Sequence, residues 1–353
     1  MLAAMKAWLV TGLFLGCGAG WLGAAEVIRP KVVVVAMFEQ GDDTGDSPGE
    51  LQYWVEREKL DRVIPLPQAH HAVRANADGS LIAIVTGIGN TRAAATIMAL
   101  GLDPRFDFAR SYWLVAGIAG IDPEDGTLAC AAWAEWIING DLGHEIDPRE
   151  IPAGWPTGFV PMGRKKPYET PREEKDSSQF FRLEAGLVNW AFELTRNVPL
   201  PDSEAMAKRR AEFTGFPNAQ RAPFLLKGDT LSAETYWHGR LLNQWANEWV
   251  RYYTDGRGNY VTTAMEDTGT LQSLTWLARA GRVDVRRTLV LRTASNFDGP
   301  PPGMTAAESL FGEKLSSHSA YLPSLEAAHR VGSVVVHELI ANWPKYEHAI
   351  PQR

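Results

Sequence analysis

The stretch "KVVVVAM" at residues 31–37 constrains the fold more than any other. Four consecutive valines leave no polar face, so a strand built from them must be covered on both sides, as in the interior of a parallel sheet flanked by helices. Similar runs recur at "LIAIVTG" (81–87), "SYWLVAG" (111–117), "LACAAWAEWII" (128–138), "APFLLKGD" (222–229), "NYVTTAM" (259–265) and "RTLVLRT" (287–293). Helical patterns lie between several of them. "SPGELQYWVEREKL" carries Ser47 as an N-cap, Pro48 at the first helical position and Glu50 three residues after the cap, the layout of a capping box. "NTRAAATIMALGL" reads as a helix capped by Asn90, another helix follows Asp267, and "PSLEAAHRVGSVVVHELIANW" is the last. This alternation predicts an α/β protein of three layers, α/β/α, with a mixed, mostly parallel central sheet.

Composition narrows the function. The chain has 353 residues, 45% hydrophobic and 22% charged, with a formal net charge of −7. It carries no basic block, which argues against a nucleic-acid partner. Lys6 precedes "AWLVTGLFLG" and the small residues of "WLGAAEV", which predicts a signal peptide over residues 1–25 and an exported, periplasmic or secreted product. Cys17 in "FLGC" leaves a lipoprotein as the alternative. No second apolar run approaches membrane-spanning length, which excludes a multi-span carrier and any stable span after processing. Cys130 lies in an apolar run and reads as a small core residue, and the scattered histidines lack metal-site spacing, so no metal is expected. Residues 26–353 read as one domain. Its middle, about 140–222, is rich in Pro, Gly and charge and is expected to be a long surface excursion, with Trp155, Phe159 and Tyr168 covering something beneath.

Chemistry-bearing residues gather at the ends of the expected strands. "TGIGNTRAAA" (86–95) is a strand, a glycine turn and a helix start, suited to close backbone approach and to holding an anion or hydroxyl, or simply a tight turn. It lacks the third glycine and the later acid of a dinucleotide fingerprint. "VAGIAGIDP" (115–123), "KGDTLS" (227–232) and "RTASNFDGPPPG" (292–303) end three more strands. "AMEDTGT" (264–270) puts Met265, Glu266 and Asp267 between a strand and a helix. Acids there can serve the helix dipole, or can meet a ligand at the carboxyl edge of the sheet.

In series, "VVVVAMFE", "TGIGNTRAAA", "AGIAGIDP", "KGDT", "AMEDTGTL" and "RTASNFD" resemble the purine nucleoside phosphorylase and nucleosidase superfamily. Within it, "REIPAGWPTGFVPMG", "GIAGIDPEDGTLA" and "RTASNFDGPPPGM" are similar to the purine nucleoside permease family, from about residue 30 onward. The resemblance implies a nucleoside phosphorylase-like fold and a purine nucleoside ligand. It implies Met265 as an apolar platform under the ribose, Glu266 as acceptor for the vicinal ribose hydroxyls, and Thr86, Gly87, Gly89, Gly117, Asp229 and Arg292 as further binding positions. Asp267 is left to the helix N-terminus. The family's base-protonating acid falls at Asn296, which can donate a hydrogen bond but no proton; Asp298, two residues on, is the candidate substitute. Phosphate-holding positions are apolar at Val115 and Ile118, with Arg92 the nearest cation. An acid after the first strand activates water in the nucleosidases, and Glu39 takes that place or else faces solvent; Asp42 and Asp43 follow it. No cofactor is expected, though phosphate as co-substrate remains open, as does a homo-oligomer. The sequence therefore sets a nucleoside-binding protein engaged in uptake, with or without hydrolytic cleavage, against a phosphorylase and against an inactive binding or storage scaffold.

Overall fold

The valine run forms β1 (Val32–Ala36), buried along its whole length between two parallel neighbours, β4 (Leu81–Val85) and β5 (Tyr112–Ile121). The computed structural model describes residues 27–170, 179–312 and 320–353, so the leader-like stretch at 1–25, with Cys17, lies outside the described residues. Beyond β4, the strands β3 (Val73–Ala75) and β2 (Arg62–Ile64) turn that edge antiparallel. On the other side the ten-residue β5 changes partner. Its first part lies beside β1, with Val115 opposite Val35, whereas Gly120 and Ile121 pair antiparallel with β13 (Tyr260–Ala264). From β13 the sheet continues parallel into β12 (Asp229–Ser232) and β7 (Trp136–Asn139), and β10 (Phe180–Arg182) ends it antiparallel. The opposite edge of β5 pairs throughout with β14 (Thr288–Phe297), which pairs with β6 (Ala131–Trp133), and β6 with β11 (Leu225–Lys227). A separate hairpin joins β8 (Gly143–Glu145) to β9 (Phe159–Pro161).

This pairing has one consequence for function. β1 runs with β5 and β13 runs against it, so their carboxyl ends converge head to head on the same edge of β5. Between them, residues 116–119 pair with no strand on that edge. Such a change of partner in a sheet is where open α/β folds leave a crevice for a ligand.

Helices cover both faces. Successive residues of a strand point to opposite sides. Leu114 meets Gly332 of α8 (Tyr321–Ala341), which also packs on Trp54 of α1 (Gln52–Glu58). Trp113 packs instead on Phe108, the neighbour of Phe106, whose carbonyl is held by Arg282 just past α6 (Asp267–Arg279). α6 lies against α2 (Asn90–Leu102) so closely that a side chain on Gly269 would strike the backbone of Asn90. α5 (Arg240–Tyr253) packs on β13, β12 and β7, while α4 (Glu204–Ala211), α7 (Ala306–Gly312) and α9 (Trp343–Tyr346) are short additions. The layered, mixed-sheet α/β architecture matches expectation.

Several local expectations are corrected. Ser47 does not cap α1, which starts at Gln52, because the carboxylate of Glu39 reaches across the loop to its N–H groups and replaces a local cap. Asn90 is the first residue of α2, not its cap; its side chain crosses to α6 and accepts from Gly269 N at 2.9 Å and Thr268 Oγ1 at 2.9 Å. The 140–222 segment is not all surface loop. β10 pairs with β7, and α3 (Ala185–Thr195) buries Leu187, Val188 and Ala191 in the main core. Its earlier part is ordered by aromatic contacts, with Phe159 stacked on Trp245 at 4.3 Å and Tyr168 set 6.2 Å from Tyr252. Cys130 is buried, and burial pushes its thiol up to about 11.

The runs at 128–138 and 222–229 each split into two strands, β6 with β7 and β11 with β12. Asp229 stands at this break. Its carboxylate accepts from Trp136 N at 2.8 Å, Glu135 N at 3.2 Å and Asn259 N at 2.7 Å, stapling the junction of β6 and β7 to the start of β13. It pairs with Tyr260, at the opposite end of β13 from Met265, which is roughly 15 Å along a strand. Asp229 is thus a structural staple, against its expected place among the substrate-binding residues. Asp229→Ala leaves these buried donors unpaired and is expected to lower unfolding stability by roughly 2–4 kcal/mol. Urea unfolding checks this as a fall in midpoint at constant slope, and an unchanged midpoint would deny the staple.

Candidate active site

The crevice beside β5 is a cleft built from strand ends. β1 delivers Met37 and Phe38, β13 delivers Met265 and Glu266, β14 delivers Ser295 and Asn296, and β5 supplies the backbone of Ile118, Ala119 and Gly120 as its floor. Ile88, from the turn before α2, and Tyr236 form the rim, each 45% exposed. Its free space is about 90 Å³, below the about 300–1,000 Å³ common for small-molecule sites. That is room for one ring, with the remainder of a larger ligand lying toward the rim.

Arg292 organises the floor. It sits on β14, 1% exposed, directly beside Gly117 of β5 in register. Its Nε donates to Asp267 Oδ2 at 3.1 Å, Nη2 to Asp267 Oδ1 at 2.5 Å and to Glu266 Oε2 at 3.2 Å, and Nη1 to the Ile118 carbonyl at 3.1 Å. Burial opposes its charge, but Asp267, Glu266 and Glu50 outweigh that and hold it protonated. Every guanidinium nitrogen is engaged, so Arg292 orients acids and offers no free donor fork to an anion. Asp267, expected to serve only the helix terminus, is this arginine's bidentate partner.

Glu266 faces the cleft with its carboxylate fixed on both oxygens. Oε1 accepts from Gly89 N at 3.3 Å, and Oε2 accepts from Met265 N at 3.2 Å as well as from Arg292. These leave acceptor capacity on an ionised carboxylate. Burial raises its pKa, with Arg292 working against that.

A second carboxylate, Glu50, which the sequence pattern assigns to a helix cap, lies in the same cleft. Glu50 is buried, Oε2 accepting from Met37 N at 2.6 Å and Oε1 from Ile118 N at 2.7 Å. It thereby ties the end of β1 to the unpaired stretch of β5. Gly117 makes room for it, since a Cβ there would collide with Met37 and Glu50. Burial is the main force raising its pKa to about 8; Arg292 lowers it and the nearby Glu266 raises it further. A carboxyl group held near neutrality in a cleft is the mark of an acid–base residue.

The other nominated residues divide clearly. Met265, Glu266 and Asn296 line the cleft. Gly89, Gly117 and Arg292 touch the side chains that do so. Thr86 is fully buried with its hydroxyl turned to Gly87 O at 3.0 Å, and Gly87, at φ +83°, packs against His70 and Arg92; both shape the turn below the rim. Glu39 is not brought into the cleft lining; its carboxylate is taken up by backbone N–H groups of the loop before α1. Asp298 is fully buried behind Asn296. It accepts from Tyr260 Oη at 2.5 Å and from Asn243 Nδ2 at 3.1 and 3.2 Å, and burial, then Asp122, raises its pKa strongly. Asn296 is oriented by its neighbours: Oδ1 accepts from Ser295 Oγ at 2.8 Å and Nδ2 donates to Phe297 O at 3.0 Å. Among the described residues no cluster of His, Cys, Asp and Glu could hold a metal ion.

Comparison with solved structures agrees with this architecture. Futalosine hydrolase of Helicobacter pylori superposes with a TM-score of 0.52 at 14% identity, covering 88% of this chain and 98% of that one. The 5′-methylthioadenosine/S-adenosylhomocysteine nucleosidase of the same organism, solved with butyl-thio-DADMe-Immucillin-A, gives 0.51 at 12%, covering 88% and 99%. At such identities the likeness is one of fold, and the fold is nucleosidase-like. Sequence relatives carry the family. A purine nucleoside permease of Candida albicans is 30% identical over 323 residues, 90% of this chain and 77% of that protein. A probable purine nucleoside permease of Schizosaccharomyces pombe is 27% identical over 339 residues, 92% and 93% of the two chains. The family model described as purine nucleoside permease (NUP) matches residues 29–351. The chain belongs to the purine nucleoside permease family.

Proposed function

We propose that the protein binds a purine nucleoside in this cleft and hydrolyses its N-glycosidic bond, and that its part in nucleoside uptake is played through that binding and cleavage. The observation that carries the reading is the pair of buried carboxylates, Glu50 and Glu266, brought into one cleft by two converging strand ends. Glu266 takes the ribose hydroxyls and Met265 lies under the sugar. As the glycosidic bond stretches, positive charge grows on the sugar ring, and the carboxylates stabilise it electrostatically. Glu50 removes a proton from water as the oxygen attacks the anomeric carbon; the bond electrons leave with the purine, which takes up a proton from solvent. Asn296 contributes a hydrogen bond to the departing base and cannot itself transfer a proton.

Phosphorolysis is less well supported, because no cation other than the saturated Arg292 adjoins the cleft floor among the described residues. A second reading, nucleoside binding without turnover, is favoured by the amide at Asn296. Among the described residues no helix is long and apolar enough to cross a membrane, so uptake through a helical pore is not part of this reading. An exported location is part of it, on the strength of the leader-like residues 1–25.

Incubating the protein with nucleosides, with and without phosphate, and measuring free base and sugar tests the proposal. Hydrolysis independent of phosphate is expected; phosphate dependence or the absence of free base overturns it. Because Glu50 must be deprotonated to act and its pKa lies about 8, turnover should climb as pH rises toward 8 and level above it. Glu50→Gln should remove this limb and cost on the order of 10²–10⁴-fold in kcat.

Glu266→Gln should weaken ribonucleoside binding by about 1.5–3 kcal/mol, since an amide has one acceptor oxygen where the carboxylate has two. Calorimetry showing unchanged affinity would take Glu266 out of the site. Asn296→Asp supplies a group that can carry a proton to the purine. Base release should accelerate, most at mildly acid pH, and a slower variant would mean that the wild-type mechanism depends on the amide.

A further inference from the structure

The resemblance implies Glu39 as a water-activating acid, unless it faces solvent. We propose that it is instead the positioning residue for Glu50, clasping the loop between β1 and α1 so that Glu50 is fixed in the cleft. The inference rests on the proposed role of Glu50, but its geometry stands independently.

The loop leaves β1 at Met37 and returns at Glu50, and it would be free to swing if nothing closed its base. Glu39 closes it from within. One carboxylate oxygen takes the N–H groups of Gln40 and Gly49, the other those of Leu51 at 3.0 Å and Gln52 at 2.7 Å. Those three last donors flank Glu50 on both sides in sequence. The backbone adds Glu50 N to Phe38 O at 3.0 Å. Hence Glu39 sets the main chain at Glu50 rather than touching a ligand, and an ionised carboxylate is the one side chain with acceptor capacity for so many donors.

A second brace comes from α8. Tyr321 Oη accepts from Gln40 Nε2 at 2.7 Å and donates to Pro48 O at 2.9 Å, bridging the outgoing and returning arms of the loop. Its ring stacks on Phe38, a cleft-lining residue, at 6.5 Å between centroids. The clasp and the brace together keep Glu50 against Met37 and Ile118, away from water. The charged and titratable groups facing Glu50 are Glu266 from the end of β13, Arg292 from β14 with its partner Asp267, Glu39 from its own loop, and Tyr321 from α8. Glu39→Gln removes one negative charge from that set as well as the clasp, whereas Tyr321→Phe alters no charge and isolates the change in access to solvent.

The test is a pair of variants of the full-length protein, Glu39→Gln and Tyr321→Phe. In each, the midpoint of Glu50 ionisation is followed by carboxyl ¹³C signals, with Glu50→Gln identifying the resonance. Glu39→Gln keeps the shape but loses one acceptor oxygen, so the loop loosens, water reaches Glu50, and its midpoint should fall from about 8 by about one pH unit or more. Where turnover is measurable, its pH limb should move with that midpoint, and the plateau kcat above the limb should fall on the order of tenfold as Glu50 loses its fixed position, with KM within roughly threefold. Tyr321→Phe preserves the ring stack and should shift the midpoint in the same direction by less. A folded Glu39→Gln protein whose Glu50 midpoint is unmoved overturns the proposal and leaves Glu39 as a helix cap alone. Because the titration needs no catalysis, a protein that releases no base removes the hydrolysis reading while the positioning claim is still decided.

Discussion

The site depends on one buried guanidinium. Arg292 has almost no contact with water and is held by two carboxylates and a main-chain carbonyl drawn from two separate parts of the chain: the adjacent Glu266 and Asp267 at the junction of β13 and α6, and Ile118 of β5. Removing a single partner from such a buried ionic cluster leaves an uncompensated charge, at a typical cost of about 3–5 kcal/mol. The cluster is therefore expensive to break and fixes how the strand ends meet. The carboxylates exceed the cation in number. With Glu50 also within reach of Arg292, the surplus negative charge is accommodated by keeping one acid near its protonated state, and burial selects Glu50.

The division of labour among the acids follows from their hydrogen bonds. Asp267 has both oxygens on the guanidinium and serves structure. Glu266 shares the arginine but keeps acceptor capacity facing the cleft. Glu50 has no direct bond to Arg292 and takes only backbone donors, so its charge is the least compensated. Under the proposed function, Glu266 would bind and Glu50 would move a proton, and the two acids share the one cation unequally.

Much of this was legible in the sequence, and the failures have a common cause. The valine run could only be a doubly covered strand, and "AMEDTGT" reads as a strand end whose acids serve either the helix dipole or a ligand at the sheet edge. What local pattern could not show was which long-range partner a polar side chain would find. Asp267 satisfies every requirement of a helix-terminal acid, yet its partner lies 25 residues away on β14. Glu50 fits a capping box because an acid three residues after Ser47 is what such a box requires; only the fold reveals that Glu39 has taken the capping work. Asp229 ends a strand run with a glycine before it, as binding residues do, but the run splits there and the carboxylate staples the break. The stretch about 140–222 reads as a surface excursion because it is rich in Pro, Gly and charge, and its strand β10 is only three residues long. Its apolar residues nonetheless reach the core.

The clasp around Glu39 also bears on how such a chain can diverge. The stretch at 40–47 bulges outside the closed base of the loop and is largely exposed. Since the ends are pinned by Glu39, the separation between them does not depend on how many residues lie outside. The entropy of a flexible loop grows only slowly with its length, about 0.6 kcal/mol for each doubling. Insertions or deletions there would leave Glu50 where it is, so this rim can vary in length and charge without moving the carboxyl group it pins beside the cleft.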